Sequence, residues 1–382
     1  MRKKIFDEVE KLQDKYVGIW EDICNIESPT SDKAGVDKVG EYFIRLANEQ
    51  GWQVEVFEQP VAGNVVCITM NPDAELPPIS LSGHIDTVHV HGKFGYPPVK
   101  RDEEKIYGPG VYDCKGGVVA GLFAMEVLKN AGFTARPVRL LLQTDEEVGS
   151  RISNKATINY ICDKAKDSVA FFNLEGCDTG SVCLARKGIL YFQFTVLGQE
   201  AHASLCANSG ASAILDAAHK IIALEKIKNE NGLTCNCGVI NGGTMPNIVP
   251  GKCVFNANVR YKTQKEYEWI CNYAKEVAST VHVQGCTCEV EISGWRPAME
   301  RVERNVRLLE KINAIYAENG MPTLKDEDRF GGSDAAYVTL AGIPCIDNMS
   351  LIGGCAHNIH EFAYIDSLSQ AAKRIAVATC KL

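Results

Sequence analysis

The residues best able to do chemistry in this chain are imidazoles and carboxylates in groups that each end a strand-like apolar stretch. Gly83-His84-Ile85-Asp86-Thr87 is one such group, Gly108-Pro109-Gly110-Val111-Tyr112-Asp113 a second, and Asp145-Glu146-Glu147 a third. Together they offer an imidazole, several carboxylates and a spare acid. These are the parts of a hydrolytic zinc centre: nitrogen and oxygen donors to hold metal, and a free carboxylate to move protons. A further buried-type run, Ser168 to Leu174, ends at Glu175.

The elements that must position these groups can be read from apolar periodicity. Residues 5–24 and 36–50 read as amphipathic helices, and 52–70 as strands. After Pro77-Pro78, residues 79–82 form a short strand that delivers His84. Residues 116–131 read as a helix, and 138–143 as a buried strand running into Asp145. Apolar strands thus deliver or precede acids at their C-terminal ends, where α/β sheets place their sites. The alternation of strand and helix predicts an α/β fold with a mostly parallel or mixed sheet covered by helices.

Near residue 186 the texture changes. Ile189 to Val196 alternates, a helix follows at 211–227, then strands near 233–240 and 252–261, a helix near 265–281 and a strand at 287–293. That β-α-β-β-α-β order is ferredoxin-like α+β. The catalytic texture resumes after Pro297, with helices near 303–319 and 367–380. The expected organisation is a catalytic domain over 1–185 and 297–382, with an inserted domain over 186–296.

Composition bounds the rest. The chain has 382 residues, 46% hydrophobic and 23% charged, an ordinary globular balance. A net charge of −8 speaks against a nucleic-acid-binding face and against an anionic membrane as partner. No run approaches the ~20 apolar residues of a membrane span. The charged start, Met1-Arg2-Lys3-Lys4-Ile5-Phe6-Asp7-Glu8, lacks the apolar region of a signal peptide, so a cytoplasmic location is expected. The 16 cysteines then read as reduced thiols. Cys235/Cys237 and Cys286/Cys288 read as half-buried small hydrophobes, with a structural metal as the alternative.

The motifs taken in order resemble the M20 metallopeptidases, most closely their carboxypeptidase G2-like (glutamate carboxypeptidase) branch. They are Ser82-Gly83-His84-Ile85-Asp86-Thr87-Val88, Tyr107-Gly108-Pro109-Gly110 leading to Asp113-Cys114-Lys115-Gly116-Gly117, and Thr144-Asp145-Glu146-Glu147-Val148-Gly149-Ser150. Later come Ala201-His202-Ala203, Gly242 to Pro250, Asn258-Val259-Arg260-Tyr261, Gly331-Gly332-Ser333-Asp334-Ala335-Ala336 and His357-Asn358-Ile359-His360-Glu361-Phe362. Each motif alone is weak; their joint order is specific.

The resemblance implies a zinc-exopeptidase-like catalytic domain, an inserted lid that also dimerises, and two Zn²⁺ per subunit, with Co²⁺ or Mn²⁺ also suited to such ligands. It implies His84 and Glu175 on one metal, Glu147 and His357 on the other, and Asp113 bridging both. Glu146 would be the general base for a metal-activated water, and Asp86 would orient His84. His357 is preferred to His360 because the last ligand of the family stands a few residues before a Glu-aromatic pair. His202 would reach the partner subunit's site and stabilise the oxyanion.

For substrate, the resemblance points to Asn247, Arg260 and Arg296, with a hinge salt bridge as the alternative for Arg296. Gly332 and Ser333 offer backbone N–H groups to an anion. Cys114 departs from the family, which commonly has Asp or Met there, as does the cationic opening Ala185-Arg186-Lys187-Gly188. His89, His91, His219 and His282 match no ligand position and read as structural or surface residues.

The implied activity is cleavage of an amide bond next to a free carboxylate, in a small peptide or an N-acyl amino acid, by a homodimer. N-acyl-amino-acid deacylation and di- or tripeptide cleavage share every ligand. A non-catalytic metal-binding protein is the remote alternative, but a degraded site would lack a ligand or the base, and none is missing here.

Overall fold

The computed structural model describes residues 1–382. In chain order the elements are α1 (Arg2–Asn25), α2 (Lys33–Glu49), β1 (Gln53–Phe57), β2 (Val65–Met70), β3 (Ile79–His84), β4 (Lys100–Arg101), β5 (Lys105–Tyr107), α3 (Lys115–Asn130), β6 (Val138–Gln143), α4 (Ala156–Ala165) and β7 (Ala170–Asn173). Then come β8 (Gly188–Leu197), α5 (Ala213–Glu225), β9 (Thr234–Gly242), β10 (Lys252–Tyr261), α6 (Gln264–Ser279) and β11 (Thr287–Arg296). The last are α7 (Glu303–Glu318), α8 (Ala335–Leu340), β12 (Cys345–Ile346), β13 (Gly353–Gly354), β14 (Phe362–Tyr364) and α9 (Ile365–Lys381).

The chain divides into two compact units: Met1–Leu184 with Arg301–Asp328 and Ser333–Leu382, and Ala185–Glu300 with Arg329–Gly332. The first unit holds a six-stranded mixed sheet, ordered β1-β2-β6-β3-β7-β12. Strands β6, β3, β7 and β12 run parallel, while β2 joins β6 antiparallel and β1 joins β2 antiparallel. Every residue of β2, β3 and β7 is buried. Strands β2 and β7 accordingly read as near-continuous apolar runs, whereas β3 alternates Ile79 and Leu81 with the buried serines Ser80 and Ser82, whose hydroxyls are hydrogen-bonded to Ser168 and to the Leu141 carbonyl. Helix α3 is buried almost all round, from Lys115 to Leu128, and packs with α1 and α9.

Because β3, β6 and β7 are parallel neighbours, their C-terminal ends lie along one edge of the sheet. That edge presents His84 from β3, Asp145 to Glu147 after β6, and Glu175 after β7. Asp113 reaches the same place by another route. The expectation that it ends an apolar strand needs correcting: it lies in the turn between β5 and α3, and β5 belongs to a separate small sheet, β13-β14-β5-β4. Helix α4 and these short strands carried no clear periodicity, since two or three residues cannot display one.

The second unit is an antiparallel sheet ordered β11-β8-β10-β9 with helices α5 and α6, the ferredoxin-like arrangement. Cys253, Phe255, Ala257, Val259 and Tyr261 of β10 are buried in its core, while the alternate residues Val254, Asn256, Asn258 and Arg260 are half-buried on the other face. Thr263 caps α6 by accepting from Glu266 N, and Ser212 caps α5 by accepting from Leu215 N. No helix in the structure is long and apolar enough to cross a membrane.

Candidate metal centre

Two histidines and three carboxylates meet around Asp113. His84 Nε2 lies 3.0 Å from Asp113 Oδ1 and 3.7 Å from Glu175 Oε1. His357 Nε2 lies 3.2 Å from Asp113 Oδ2 and 3.1 Å from Glu147 Oε2. The two oxygens of Asp113 therefore face two separate His/carboxylate pairs. Metal–ligand bonds of about 2.0–2.1 Å at tetrahedral angles place ligands roughly 3.3–3.4 Å apart. The observed spacings bracket that value, so the donors are spaced as ligands to divalent metal would be.

Local structure explains how each donor is held. His84 Nδ1 is 3.0 Å from the main-chain carbonyl of Asp86 and 3.4 Å from its Oδ1, so the carbonyl is the nearer acceptor for the second imidazole N–H. The Asp86 carboxylate is fully buried and is committed mainly elsewhere. It accepts from Thr30 Oγ1 at 2.7 Å, from Glu146 N at 3.2 Å and from Glu147 N at 3.3 Å. One carboxylate thus ties the His84 strand end to the turn that bears Glu146 and Glu147.

That turn is a single 3₁₀ turn, Glu146–Val148, closed by Gly149 at φ 64°. A left-handed residue is needed to reverse the chain so tightly, and glycine adopts it without cost. Asp145 anchors the turn from below, accepting from Thr157 Oγ1 at 2.6 Å and Ser153 N at 2.9 Å. Glu146 is buried, and its main-chain N–H donates to the Asp86 carboxylate, two residues after His84.

The electrostatics suit a cation. Burial raises the Glu147 carboxyl to about 7, with the Asp113 charge adding to the rise and the hydrogen bond to His357 opposing it. Burial likewise raises Glu175 well above the usual carboxylate range, with Asp113 again contributing. At Asp113 burial acts in the same direction but is overcome by hydrogen bonds from His357 and His84, which hold it low. His357 is pushed up to about 10 by its hydrogen bonds to Asp113 and then Glu147. Three acids crowd a partly dry pocket, and positive charge relieves the repulsion.

Cys114 also lies within reach of His84 and Glu175. Its sulfur, however, accepts from the main-chain N–H of His84 at 3.1 Å and is fully buried against the strand. Burial raises its pKa, and this contact commits the sulfur to the His84 main chain.

The remaining expected residues fall in separate places. His202 and Asn247 are brought together: Ala203 N donates to Asn247 O at 2.9 Å, and His202 bridges Ile248. His202 Nδ1 accepts from Ser204 N at 3.2 Å and lies 2.8 Å from Ser204 Oγ, which leaves Nε2 to carry the proton. Arg260 Nε donates to Asn258 Oδ1 at 3.2 Å. The guanidinium of Arg296 lies over Gly332, where an added Cβ would come within 2.6 Å of Arg296 Cδ. Ser333 is fully buried, its hydroxyl 3.0 Å from Asn173 Nδ2 and accepting from Ala335 N.

His360 and His91 are exposed, and His219 stacks on His282 with centroids 4.9 Å apart. His89 is buried against Glu361. Thr30, Ser204, His89 and Glu361 escaped the sequence reading as parts of this machinery. Their partners are set by the fold, and for Thr30 no local signal could have found it.

A family model for peptidase family M20/M25/M40 matches residues 80–379. The chain belongs to that family. It is similar to carboxypeptidase G2 of Pseudomonas sp. (strain RS-16), at 28% identity over 94% of this chain and 86% of that one. It is also similar to the succinyl-diaminopimelate desuccinylase of Rickettsia akari, at 24% identity over 93% of this chain and 96% of that one. Aminopeptidase PepT from Bacillus cereus shares the fold, with a TM-score of 0.78 at 20% identity over 97% of this chain and 98% of that one. This M20 chain is therefore a hydrolase of the metallopeptidase type, with a catalytic unit, a second lid-type unit and a candidate metal site in the first.

Proposed function

We propose that this M20 enzyme is a two-zinc hydrolase that cleaves an amide bond next to a free carboxylate, as a carboxypeptidase acting on peptidyl or N-acyl amino acids. The observation that carries this reading is the division of Asp113, with one oxygen toward His84 and Glu175 and the other toward His357 and Glu147. On this reading those five residues hold the two ions. When bound, the metals supply Lewis acidity and a water that ionises near neutral pH.

The chain's own residues do the rest. Glu146 follows a buried strand and adjoins the proposed ligand Glu147, so it can take a proton from the attacking water and return it to the departing amine. His202, its Nε2–H freed by Ser204, offers a donor to the developing oxyanion.

The substrate carboxylate is assigned to Arg260. In the β10–β8 register Tyr261 pairs with Gly188, so Lys262 comes opposite Lys187 at the sheet end. Both ammonium nitrogens stand within 3.3 Å of the point where a Cβ on Gly232 would sit. Burial, then Lys262 and Arg260, lower the pKa of Lys187. Like charges opposite one another are unfavourable, and an anionic substrate end such as glutamate relieves them. Asn247, Arg296, Gly332 and Ser333 are assigned to the same substrate.

The lid-type unit is also assigned to dimerisation. Ile214, Leu215 and Ile222 on α5 and Val239 and Ile240 on the neighbouring edge strand β9 are exposed apolar residues.

Glu146→Gln is expected to lower kcat by roughly 10²–10⁴-fold while zinc content stays unchanged; full activity in that variant sinks the assignment. The desuccinylase relative favours N-deacylation as the second reading. A panel of C-terminal-acid dipeptides, N-acyl-glutamates and N-acetyl amino acids separates the two by kcat/KM.

A further inference from the structure

We propose that Glu361, oriented by His89, is the positioning residue that aims the bridging carboxylate of Asp113. The proposal rests on the two-metal reading above. Glu361 is fully buried. Its Oε1 accepts from the main-chain N–H groups of Tyr112 at 3.0 Å and Asp113 at 3.1 Å, and its Oε2 lies 2.9 Å from His89 Nε2. The Glu361 main chain adds two more ties: its N–H donates to Asn358 O at 3.0 Å, and its carbonyl accepts from Gly108 N at 3.3 Å.

One residue therefore joins three segments that are far apart in sequence. The first is the stretch from His84 to His89, the second is the turn carrying Asp113, and the third is the turn that follows His357. Asp113 has to present its two oxygens in different directions, so a small rotation of its backbone removes one of them from its partners. Two adjacent N–H groups held by a single carboxylate oxygen fix that rotation, and charge-assisted bonds are the strong kind. His89 holds the other oxygen, with its ring edge-on to Phe94 at 4.8 Å, so the carboxylate cannot swing away from the two amides.

The substitutions separate positioning from bulk. Alanine at 361 leaves two buried N–H groups unpaired. Glutamine keeps an oxygen for them, but turns its amide N–H₂ toward His89. Glutamine at 89 places a donor near the original Nε2, which alanine does not.

The test measures zinc affinity of the full-length chain by competition with a chelator, together with kcat and KM at saturating zinc, for Glu361→Ala, Glu361→Gln, His89→Ala and His89→Gln. Partners of metal ligands typically contribute 10–100-fold in affinity or activity. Glu361→Ala is expected to lose at least ~10-fold in zinc affinity, with Glu361→Gln intermediate. His89→Ala is expected to weaken zinc, and His89→Gln to restore most of the loss, with kcat falling more than KM changes throughout.

Folded variants that bind zinc as the wild type does, and differ only in melting temperature, overturn the proposal in favour of a structural role. If Glu361→Ala does not fold, the two His89 variants decide: equal zinc affinities overturn it, and rescue by glutamine supports it. A wild-type chain that binds no zinc removes the two-metal reading itself, and this proposal with it.

Discussion

Cys114 and Asp113 are sequence neighbours, and both lie close to His84, yet their environments make them chemically different. Hydrogen bonds from two histidines hold Asp113 as a carboxylate, whereas burial keeps the Cys114 thiol protonated. Its sulfur packs on the main chain of His84, and a Cβ on Gly83 would come within 3.0 Å of it. The thiol that departs from the family pattern thus supports the histidine's backbone from beneath. It follows that Cys114→Ala should keep zinc affinity within roughly threefold of wild type, against the 10–100-fold change that loss of a ligand's support brings. Metal titration of the purified variant checks this, and a larger loss makes Cys114 a ligand.

At the scale of elements, the centre depends on how closely α3 approaches the end of β7. A Cβ on Gly117 would stand 2.0 Å from the carbonyl oxygen of Leu174, the residue before Glu175. Helix α3 begins just after Asp113, so this contact sets the spacing between two of the proposed ligands. Gly117→Ala is therefore expected to force the helix outward, lowering stability by about 1–3 kcal/mol and weakening zinc at the His84/Glu175 position. Urea denaturation and zinc titration of the same sample read the two effects; an unchanged midpoint shows that the helix can move freely.

The same elements show what the sequence could and could not convey. His84, Glu147 and Glu175 were legible because each lies at or soon after the end of a largely buried strand, which shows in one dimension as an apolar run in β6 and β7 and as Ile79 and Leu81 after Pro77-Pro78 in β3. The ferredoxin-like order of the second unit was legible from alternation along its long strands. The small sheet of β4, β5, β13 and β14 was not, because strands of two or three residues have no period. Thr30 under Asp86, and Glu361 under Asp113, were invisible for a different reason. Their hydrogen bonds join residues separated by 56 and 248 positions, and only the folded chain brings them together.

At the scale of the whole molecule, a net charge of −8 disfavours non-specific association, so the proposed dimer has to be tested on the exposed apolar face of the second unit. Residue Ile222 is 54% exposed and Val239 51% exposed, on α5 and on the open edge of β9. In the proposed dimer an isologous contact there would pair the same patch on both copies. If His202 serves the partner's site, each active site needs Glu146 from one subunit and His202 from the other. Glu146→Gln and His202→Ala homodimers are then both inactive, for different reasons. When the two are mixed and allowed to exchange, a heterodimer carries one site with both defects and one with neither. Random pairing makes half the dimers hybrid, so activity should recover to about a quarter of the wild-type value per chain. The double variant Ile222→Glu/Val239→Glu, run in both backgrounds, should abolish that recovery and sediment as a monomer with its zinc intact. Mixed samples that exchange subunits yet stay inactive place His202 in its own subunit's site or outside the reaction altogether.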